Sequence, residues 1–486
     1  MIDNNVAYNA LLSRDIRFDG VFFTGVTSTG IYCRPICPAK TPKQENCRFF
    51  NSREAAEKES FRPCLRCRPE LAPGNAPVDS TRRTAHLIAQ RLEEGQIIDA
   101  LSIEAIAQQF AISSRQLRRI VHKEFGTSPI ELIQIRRLLL AKQLLSETCL
   151  PVISIAFASG FSSLRRFNEV FRTHYKMPPT HFRKAITREN KEHDLPATLS
   201  LQLNYRPPYN WISLLEFLKA RMIKGVEQIS EDSYMRTVRL GSYKGWIKVT
   251  HAPERYALKV ELSSSLTPVL PALLCQLRHL FDLNARPDLI AAHLMKDPHL
   301  SSAVNKNPGL RVPGAFDGFE MAIRAVLGQQ ITVKAATTLS CRFAQAFGEY
   351  IETPFPELDR LTPLSTDISK KTVNDIAELG IISTRARCIL ALAEAYSSGT
   401  LCLDGGMNPE LTMQKLEQLP GIGPWTAHYI AMRALRWPDA FVKEDIVIRK
   451  NLGGISAKHA EELSQVWRPW RSYATLHIWN NPGMIG

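Results

Sequence analysis

The spacing of hydrophobic positions changes along this 486-residue chain. From about 199 to 262, apolar and polar residues alternate, as at positions 199–203 and 256–262, and this period of two predicts half-buried β-strands. Beyond about 310 the apolar residues recur at helical spacing, as at positions 319–326. The pattern therefore predicts a small β-containing region followed by a mainly α-helical one.

The middle of the chain contains an internal repeat. Ile106 recurs as Ile155, and Pro129 recurs as Pro179. Each copy is predicted to form a short helix, a turn, and a second helix that begins at a serine and is rich in arginine. These are two helix-turn-helix units. One continuous amphipathic helix over 130–146 is predicted to hold them at a fixed separation.

Two polar stretches predict where domains meet. Residues 69–77 are rich in Pro, Gly and Ala, and residues 187–194 are almost wholly charged or polar, so both are predicted linkers. At this length three or four folded units are expected. The predicted domains are residues 1–75, 80–187, 198–290 and 291–486.

Composition and charge narrow the class of protein. The chain has 44% hydrophobic and 22% charged residues, which excludes a mostly disordered chain. Its net charge of +14 indicates a polyanionic partner, and the first 200 residues hold 29 basic and 20 acidic residues. Without a long apolar stretch or a signal-peptide pattern, the chain is expected to be cytoplasmic and to have no membrane partner.

Four of the ten cysteines have the spacing of a metal site. Cys33 and Cys37 form one close pair, and Cys64 and Cys67 form a second pair after 26 intervening residues. Two chelating pairs of thiolates predict tetrahedral Zn²⁺. Cys47 has no partner at metal spacing and is predicted to be a buried small residue. Spacing alone leaves open whether such a zinc is only structural.

The residues around these cysteines carry a resemblance to a known family. Thr-Gly-Ile-Tyr-Cys-Arg-Pro-x-Cys at 29–37 and Phe-Arg-Pro-Cys-x-Arg-Cys at 61–67 resemble the N-terminal domain of the Ada family of alkylation-response proteins. The resemblance implies that Cys33 accepts a methyl group from a DNA methylphosphotriester while it is bound to zinc. Methylation would make the cluster less negative, and a less negative surface binds phosphates better.

The repeat resembles an AraC-type DNA-binding domain over about residues 84–184. The segments that carry the resemblance are Leu-Ser-Ile-Glu-Ala-Ile-Ala at 101–107 and Gly-Phe at 160–161. Such a pair would place two helices in successive major grooves of double-stranded DNA. A helical bundle that does not bind DNA is the alternative. The candidate DNA-binding residues are Arg115, Arg118, Arg119, Arg165 and Arg166.

The C-terminal region contains a hairpin motif, and an acidic residue follows it at a defined spacing. Leu-Pro-Gly-Ile-Gly-Pro-Trp-Thr-Ala at 419–427 has two glycines, Gly421 and Gly423, that let the backbone approach a phosphate. Asp445 follows Trp425 by twenty residues. Together they resemble the glycosylase superfamily that is built around a helix-hairpin-helix.

Within that superfamily the match is to the 3-methyladenine DNA glycosylase II (AlkA) family, over about residues 200–486. Asn-Tyr-Arg-Pro-Pro-Tyr-Asn-Trp at 204–211 and Trp-Arg-Pro-Trp-Arg-Ser-Tyr-Ala at 467–474 also resemble it. The resemblance implies that Asp445 is the catalytic carboxylate and that Trp425, Tyr429 and Trp479 line the base pocket.

The implied chemistry is physically reasonable. An alkylated purine is cationic and leaves readily, a carboxylate stabilises the oxocarbenium-like sugar, and indole faces attract a cationic base. Backbone-cleaving relatives carry a Lys where this chain has Trp425, so a monofunctional glycosylase is expected. Only Cys402 follows residue 400, so no iron-sulfur cluster is expected. Gln330 stands where the family inserts a Leu into the base stack, and this departure puts lesion range in question.

The motifs predict a bifunctional alkylation-damage response protein, which is both a methylphosphotriester-sensing activator and a glycosylase. The expected fold class is multidomain α+β: a small Zn-bound α/β module, an all-α AraC-type double helix-turn-helix, a small β-containing domain, and an all-α glycosylase domain with a helix-hairpin-helix. No O6-alkylguanine transferase element occurs. RNA polymerase is an expected partner of the activator, and a monomer is expected. The alternatives are a regulator with structural zinc and an inactive glycosylase scaffold, and a glycosylase that uses its N-terminal half only for targeting.

Overall fold

The computed structural model describes residues 3–73, 85, 88–89, 103–110, 112–186, 198–404 and 408–481. The chain divides into two compact units. Unit 1 comprises residues 1–207, 240–245 and 251–275, and unit 2 comprises residues 208–239, 246–250 and 276–486. Within the described ranges, no helix has the length and apolar character needed to cross a membrane.

Unit 1 begins with a small module built around a four-stranded sheet. Its elements are α1 (Asn4–Leu12), β1 (Phe23–Val26), β2 (Ile31–Cys33), β3 (Cys47–Phe50), α2 (Arg53–Lys58) and β4 (Arg62–Pro63). The strand order is β3-β1-β2-β4, and β1 pairs antiparallel with β2 so that Thr24 lies opposite Cys33. Phe23, Tyr32 and Phe61 form the core. The sheet thus carries Cys33 at the end of β2, and Cys64 follows directly after β4.

The repeat forms two helix-turn-helix units, as predicted. The helices are α3 (Ile103–Gln109), α4 (Ser114–Phe125), α5 (Pro129–Glu147), α6 (Val152–Ala158), α7 (Leu164–Tyr175) and α8 (Pro179–Ile186). Ser113 and Ser163 are the N-caps of α4 and α7, and their hydroxyls accept the backbone N–H groups of Gln116 and Arg166. A side-chain oxygen at this position satisfies a helix N–H that has no partner within the helix. The predicted arginine-rich helices therefore begin where the serines indicate.

The helix between the repeats differs from the prediction in one respect. Helix α5 is continuous, but its buried residues surround most of its circumference and include Lys142 and Gln143, so it is not a simple amphipathic helix. Lys142 forms a buried ion pair with Glu70, while Arg68 pairs with Glu147 at 3.0 Å. Polar side chains can be buried here because each has a partner.

The same ion pairs correct the first linker prediction. Residues Pro69–Leu71 form a buried 3₁₀ helix rather than a flexible connection. The Pro and Ala content of residues 69–77 is typical of a linker, but the buried pairing of Glu70 fixes the first part of this stretch. Residues 74–77 of this linker, and the whole of the second linker at 187–194, lie outside the described residues.

The following segments contribute to both units. The elements are β5 (Thr198–Asn204), α9 (Trp211–Lys219), β6 (Glu227–Ile229), β7 (Ser233–Leu240), β8 (Tyr243–Ala252), β9 (Ala257–Ser263) and α10 (Leu270–Leu280). In unit 1, β5 pairs antiparallel with β9, with Leu201 opposite Val260. In unit 2, β6 pairs antiparallel with β7. The strands predicted from the alternation at 199–203 and 256–262 are therefore present.

The rest of unit 2 is helical, as predicted. Its helices are α11 (Pro287–Leu294), α12 (Pro298–Lys306), α13 (Gly318–Leu327), α14 (Val333–Phe347), α15 (Ser365–Ile368), α16 (Val373–Ala377), α17 (Ser383–Ser397), α18 (Pro409–Glu417), α19 (Pro424–Arg433), α20 (Ile446–Asn451), α21 (Ala457–Leu463) and α22 (Arg471–Trp479). Helix α13 is buried along most of its length and packs against α14, α17 and α19. The expected multidomain α+β fold class is confirmed.

Candidate functional site

A cavity of about 750 Å³ opens in unit 2. Residues of α9, α13, α19 and α22 line it, together with the start of α20. The lining includes all four residues that the AlkA resemblance implies for base excision: Asp445, Trp425, Tyr429 and Trp479. Residues separated by up to 54 positions in the sequence therefore meet at one concave site.

Asp445 is held in one orientation by three hydrogen bonds. It is the N-cap of α20, where its Oδ1 accepts the backbone N–H of Ile448 at 3.0 Å. The indole N–H of Trp479 donates to Oδ1 and that of Trp425 donates to Oδ2, each at 3.2 Å. A carboxylate fixed in this way needs little reorganisation when positive charge develops beside it.

Aromatic rings form one wall of the cavity. Trp425 and Tyr429 are four residues apart on α19, and their rings stack with centroids 5.2 Å apart and planes inclined by 14°. Trp479 lies across from them, with its ring centroid 6.3 Å from that of Tyr429. Such faces can attract a flat, electron-poor base.

The predicted hairpin connects α18 to α19. Gly421 has a φ of +84°, a conformation that favours glycine, and a Cβ there would lie 3.2 Å from the Cβ of Cys388. Gly423 has an ordinary φ of −96° and is the N-cap of α19, with open space beside it. The two glycines thus differ: the first is needed for the turn, while the second leaves room at a helix N-terminus.

The loop after α13 is attached to this hairpin. The side-chain amide of Gln329 donates to the carbonyl of Gly421 at 2.8 Å and to Thr426 Oγ1 at 3.0 Å. The next residue, Gln330, is exposed and has a left-handed backbone with φ of +53°. Gln330 is thereby presented at the tip of a loop whose base is fixed.

Sequence reasoning missed Gln329 and Arg433 at this site. Arg433 lines the cavity one helical turn beyond Tyr429, and its Nη1 donates to the Tyr429 hydroxyl at 2.8 Å. Its spacing of four from Tyr429 was a signal that could have found it. The sequence did not predict that the guanidinium of Arg433 is buried, because exposed arginines at the same spacing are common.

The four predicted metal-ligating cysteines meet in unit 1. The sulfur atoms of Cys33, Cys37, Cys64 and Cys67 all lie within 4.8 Å of one another. Four close thiolate donors fit a tetrahedral Zn²⁺ site. Cys47 lies on β3, is only half-buried, and donates to the carbonyl of Lys43, so the prediction that it is buried is wrong.

Backbone N–H groups form hydrogen bonds to some of the four sulfurs and not to others. Cys67 Sγ accepts the N–H of Arg34 at 3.3 Å, and the N–H groups of Ala39 and Cys67 face the sulfurs of Cys37 and Cys64. Among the backbone hydrogen bonds of the described residues, none is directed to the sulfur of Cys33. A hydrogen bond stabilises a thiolate, so within the described residues the backbone stabilises the other three sulfurs and not that of Cys33.

Arg34 contributes to the cysteine cluster, although the sequence did not predict a role for it. It is 6% exposed, pairs with the buried Asp19, and donates to the carbonyl of Cys67 at 3.1 Å. The bond from Arg34 to Cys67 links the two cysteine-bearing segments, and the buried charge-assisted pair with Asp19 holds the guanidinium in place.

The five predicted DNA-binding arginines are all exposed, on α4 and α7. Arg118 lies 3.6 Å from Glu104, and Arg166 lies 3.2 Å from Glu169. Exposed ion pairs of this kind are weak, so the arginines are free to exchange these partners for phosphates.

Comparisons with known proteins match three regions of the chain. Family models match the metal binding domain of Ada over residues 6–70, a helix-turn-helix domain over 106–185, and the AlkA N-terminal domain over 200–317. A Mycobacterium tuberculosis protein described as a probable bifunctional transcriptional activator/DNA repair enzyme AlkA is 37% identical over 477 residues, which cover 97% of this chain and 95% of the relative.

Two further comparisons concern the C-terminal region. The DNA-3-methyladenine glycosylase 2 of Escherichia coli is 36% identical over 281 residues, which cover 58% of this chain and 97% of that protein. The solved structure of the Archaeoglobus fulgidus 3-methyladenine DNA-glycosylase aligns with a TM-score of 0.51 at 19% identity, and the alignment covers 57% of this chain and 97% of that chain. At this low identity the structural likeness concerns the fold alone.

Proposed function

The chain belongs to the family of bifunctional transcriptional activator and DNA repair enzymes that join Ada-like and AlkA-like regions, and from this we propose that it excises alkylated purines such as 3-methyladenine from double-stranded DNA. The fusion that the motifs predicted is thereby confirmed. The observation that carries the proposal is the cavity in which Asp445 receives two indole N–H groups.

The residues divide the work as follows. An alkylated purine turned out of the duplex stacks on the wall formed by Trp425, Tyr429 and Trp479. The bond from the sugar to the base breaks with its electron pair on the base, and Asp445 stabilises the positive charge left on the sugar until water adds. The hairpin at Gly421 and Gly423 holds a phosphate, and Gln330 enters the space that the base vacates. With Trp425 in place of a lysine, the reaction ends at an abasic site.

The test is release of free base from methylated duplex DNA. Asp445→Asn keeps the cap geometry but removes the charge, and we expect base release to fall by at least about 100-fold with abasic-DNA binding retained. Asp367→Asn, which changes an exposed carboxylate outside the cavity, serves as the control. Full activity in Asp445→Asn would contradict the assigned role.

We further propose that Cys33 accepts the methyl group of a DNA methylphosphotriester. Its sulfur attacks the methyl carbon, the carbon–oxygen bond breaks, and the phosphate leaves as an ordinary phosphodiester anion. Zn²⁺ held by Cys33, Cys37, Cys64 and Cys67 would keep the sulfurs deprotonated at neutral pH. The product thioether is a poor leaving group, so each chain reacts once.

The methyl transfer is tested by mass. One added methyl per chain, mapped to Cys33 after incubation with methylated DNA, is the expected result. Cys33→Ala should abolish it, whereas Cys47→Ala, which changes a half-buried thiol outside the cluster, should not. Methylation at another cysteine would overturn the assignment.

We also propose that the exposed arginines of α4 and α7 bind promoter DNA and that RNA polymerase is the partner of the activated protein. The chain acts as a cytoplasmic monomer in this proposal. The four domains at 1–75, 80–187, 198–290 and 291–486 are the proposed division, although the AlkA N-terminal model extends past 290 to 317. A regulator with an inactive scaffold is disfavoured, since such a scaffold has no need to keep Asp445 bonded to two indoles.

A further inference from the structure

The cavity contains a buried positive charge, that of Arg433, to which the proposed reaction assigns no role. Arg433 is 4% exposed, and its guanidinium packs 4.8 Å from the ring centre of Phe217. It donates through Nη2 to the carbonyl of Gly314 at 3.2 Å, through Nε to the carbonyl of Pro313, and through Nη1 to Tyr429 at 2.8 Å. These bonds fix its position in the wall.

Arg433 differs from two other arginines of the cavity in having no acidic partner. Arg324 pairs with Glu227 at 2.7 Å and with Glu320 at 2.6 Å, and Arg236 pairs with Glu320 at 2.8 Å. For Arg433, by contrast, no carboxylate lies within ion-pair distance in the described part of the chain. Three neutral acceptors solvate its charge but do not cancel it.

Arg433 and Asp445 lie at opposite ends of one wall. Helix α19 begins at Pro424, and Trp425 near its start donates to Asp445, while Arg433 is its last residue. At 1.5 Å per residue, Trp425 and Arg433 are about 12 Å apart along the helix axis. Glu216 also lines the cavity, but its side chain is exposed and water screens its charge.

We propose that Arg433 is a specificity-determining residue, because its charge and that of Asp445 set an electric field along the cavity that opposes binding of cationic bases and assists departure of any base. This inference rests on the proposed base excision. When the bond to the sugar breaks, the electron pair moves to the base, so positive charge moves from the base to the sugar, away from Arg433 and toward Asp445. The field lowers the barrier for this movement.

The effect differs between two classes of base. A cationic base such as 7-methylguanine is repelled by Arg433 in the bound state and becomes neutral as it leaves. A neutral base such as hypoxanthine is not repelled and leaves with negative charge. Removing the charge should therefore slow departure of both, while it strengthens binding of the cationic base only.

The experiment measures single-turnover base release from duplexes with one hypoxanthine or one 7-methylguanine, over a range of enzyme concentrations. With Arg433→Gln we expect the saturating rate constant to fall about tenfold for both duplexes. The half-saturating enzyme concentration should fall about tenfold for 7-methylguanine and stay unchanged for hypoxanthine. Arg433→Lys keeps the charge and should retain the discrimination of the unsubstituted chain. Arg342→Gln removes an exposed charge outside the cavity lining and is the control.

The two duplexes distinguish a role of Arg433 in specificity from a purely structural role. Equal loss for both duplexes, with both half-saturating concentrations unchanged or both raised, would mean that Arg433 only supports the structure, and would overturn the proposal. Should Arg433→Gln not fold, Arg221→Gln tests the same field, since Arg221 lines the cavity and its guanidinium lies 3.7 Å from the centre of the Phe217 ring, against which Arg433 also packs. For Arg221→Gln, a smaller fall in the half-saturating enzyme concentration for 7-methylguanine supports the proposal. An unchanged half-saturating concentration overturns it. If the unsubstituted chain releases neither base, the proposed excision itself fails.

Discussion

Single residues in unit 2 carry charges whose surroundings change their chemistry. Asp282 has a left-handed backbone with φ of +48°, and its Oδ2 accepts the hydroxyl of Tyr473 at 2.7 Å. Burial raises the pKa of Asp282 to about 6, although Arg311 and the bond from Tyr473 act in the opposite direction. The folded state therefore binds a proton more tightly than the unfolded chain does.

This predicts a pH dependence at the residue scale. Because the folded pKa lies above the unfolded one, stability from this group falls as pH rises from about 4 to 6 and is then constant. Asp282→Asn should remove that decline and stabilise the protein at pH 7.5 by about 2 kcal/mol, since Asn tolerates the left-handed backbone and can still accept from Tyr473. Thermal unfolding at pH 5 and pH 7.5 checks it. A variant less stable at pH 7.5 would refute the argument.

At the scale of elements, helix α5 is fixed by ion pairs with residues of the small N-terminal module that carries the four cysteines. Lys142 and Glu70 are each 1% exposed where they pair. Burial acts to raise the pKa of Glu70, but Lys142 and Arg68 hold it below its ordinary value. The helix that separates the two DNA-binding units is thus attached to the module that carries Cys33.

Breaking this pair should be costly. Lys142→Met leaves Glu70 as a buried charge with one remaining partner, and we expect a loss of about 3–5 kcal/mol. Hydrogen exchange of the amides in α5 is the measurement, and it should become at least about 100-fold faster. The double variant Lys142→Met with Glu70→Met replaces both charges with apolar side chains and should recover most of the protection. Unchanged exchange in the single variant would contradict the expectation.

At the scale of the whole molecule, the charge of +14 is shared by two DNA-binding regions of different kinds. The arginines of α4 and α7 are exposed, as phosphate contacts require. A chain that releases counterions from DNA loses affinity as salt rises, with a slope set by the number of phosphates it neutralises.

The double variant Arg115→Gln with Arg165→Gln should therefore bind duplex DNA with a weaker salt dependence. Two lost phosphate contacts reduce the slope of log affinity against log salt by about 2. Titrations of a fluorescent duplex between low and moderate salt measure it, and Lys219→Gln is the control for loss of an exposed charge. An unchanged slope would show that these arginines do not face phosphate.

Much of the fold followed from local pattern. The alternation at 199–203 and 256–262 predicted strands that are present, and the serines at 113 and 163 predicted helix starts that are present, because both signals act over a few neighbouring residues. The linker prediction failed at Pro69–Leu71, and the amphipathic prediction failed for α5. The linker prediction failed because Glu70 pairs with Lys142, which is 72 residues away, and local composition does not record such a pairing. The amphipathic prediction failed because α5 packs against several other elements of unit 1, so residues on most of its faces are buried.

The sequence by itself determined which chemical groups this protein has and roughly where: four cysteines at metal spacing, two arginine-rich helices, a glycine hairpin, and Asp445 twenty residues after Trp425. These are properties of composition and short-range spacing, which the chain states directly. Only the tertiary structure decided that two indoles donate to Asp445, that Cys33 alone of the four sulfurs receives no described backbone hydrogen bond, and that Arg433 is buried without an acid. Burial and the direction of a hydrogen bond depend on residues that are distant in sequence, so they exist only once the chain has folded.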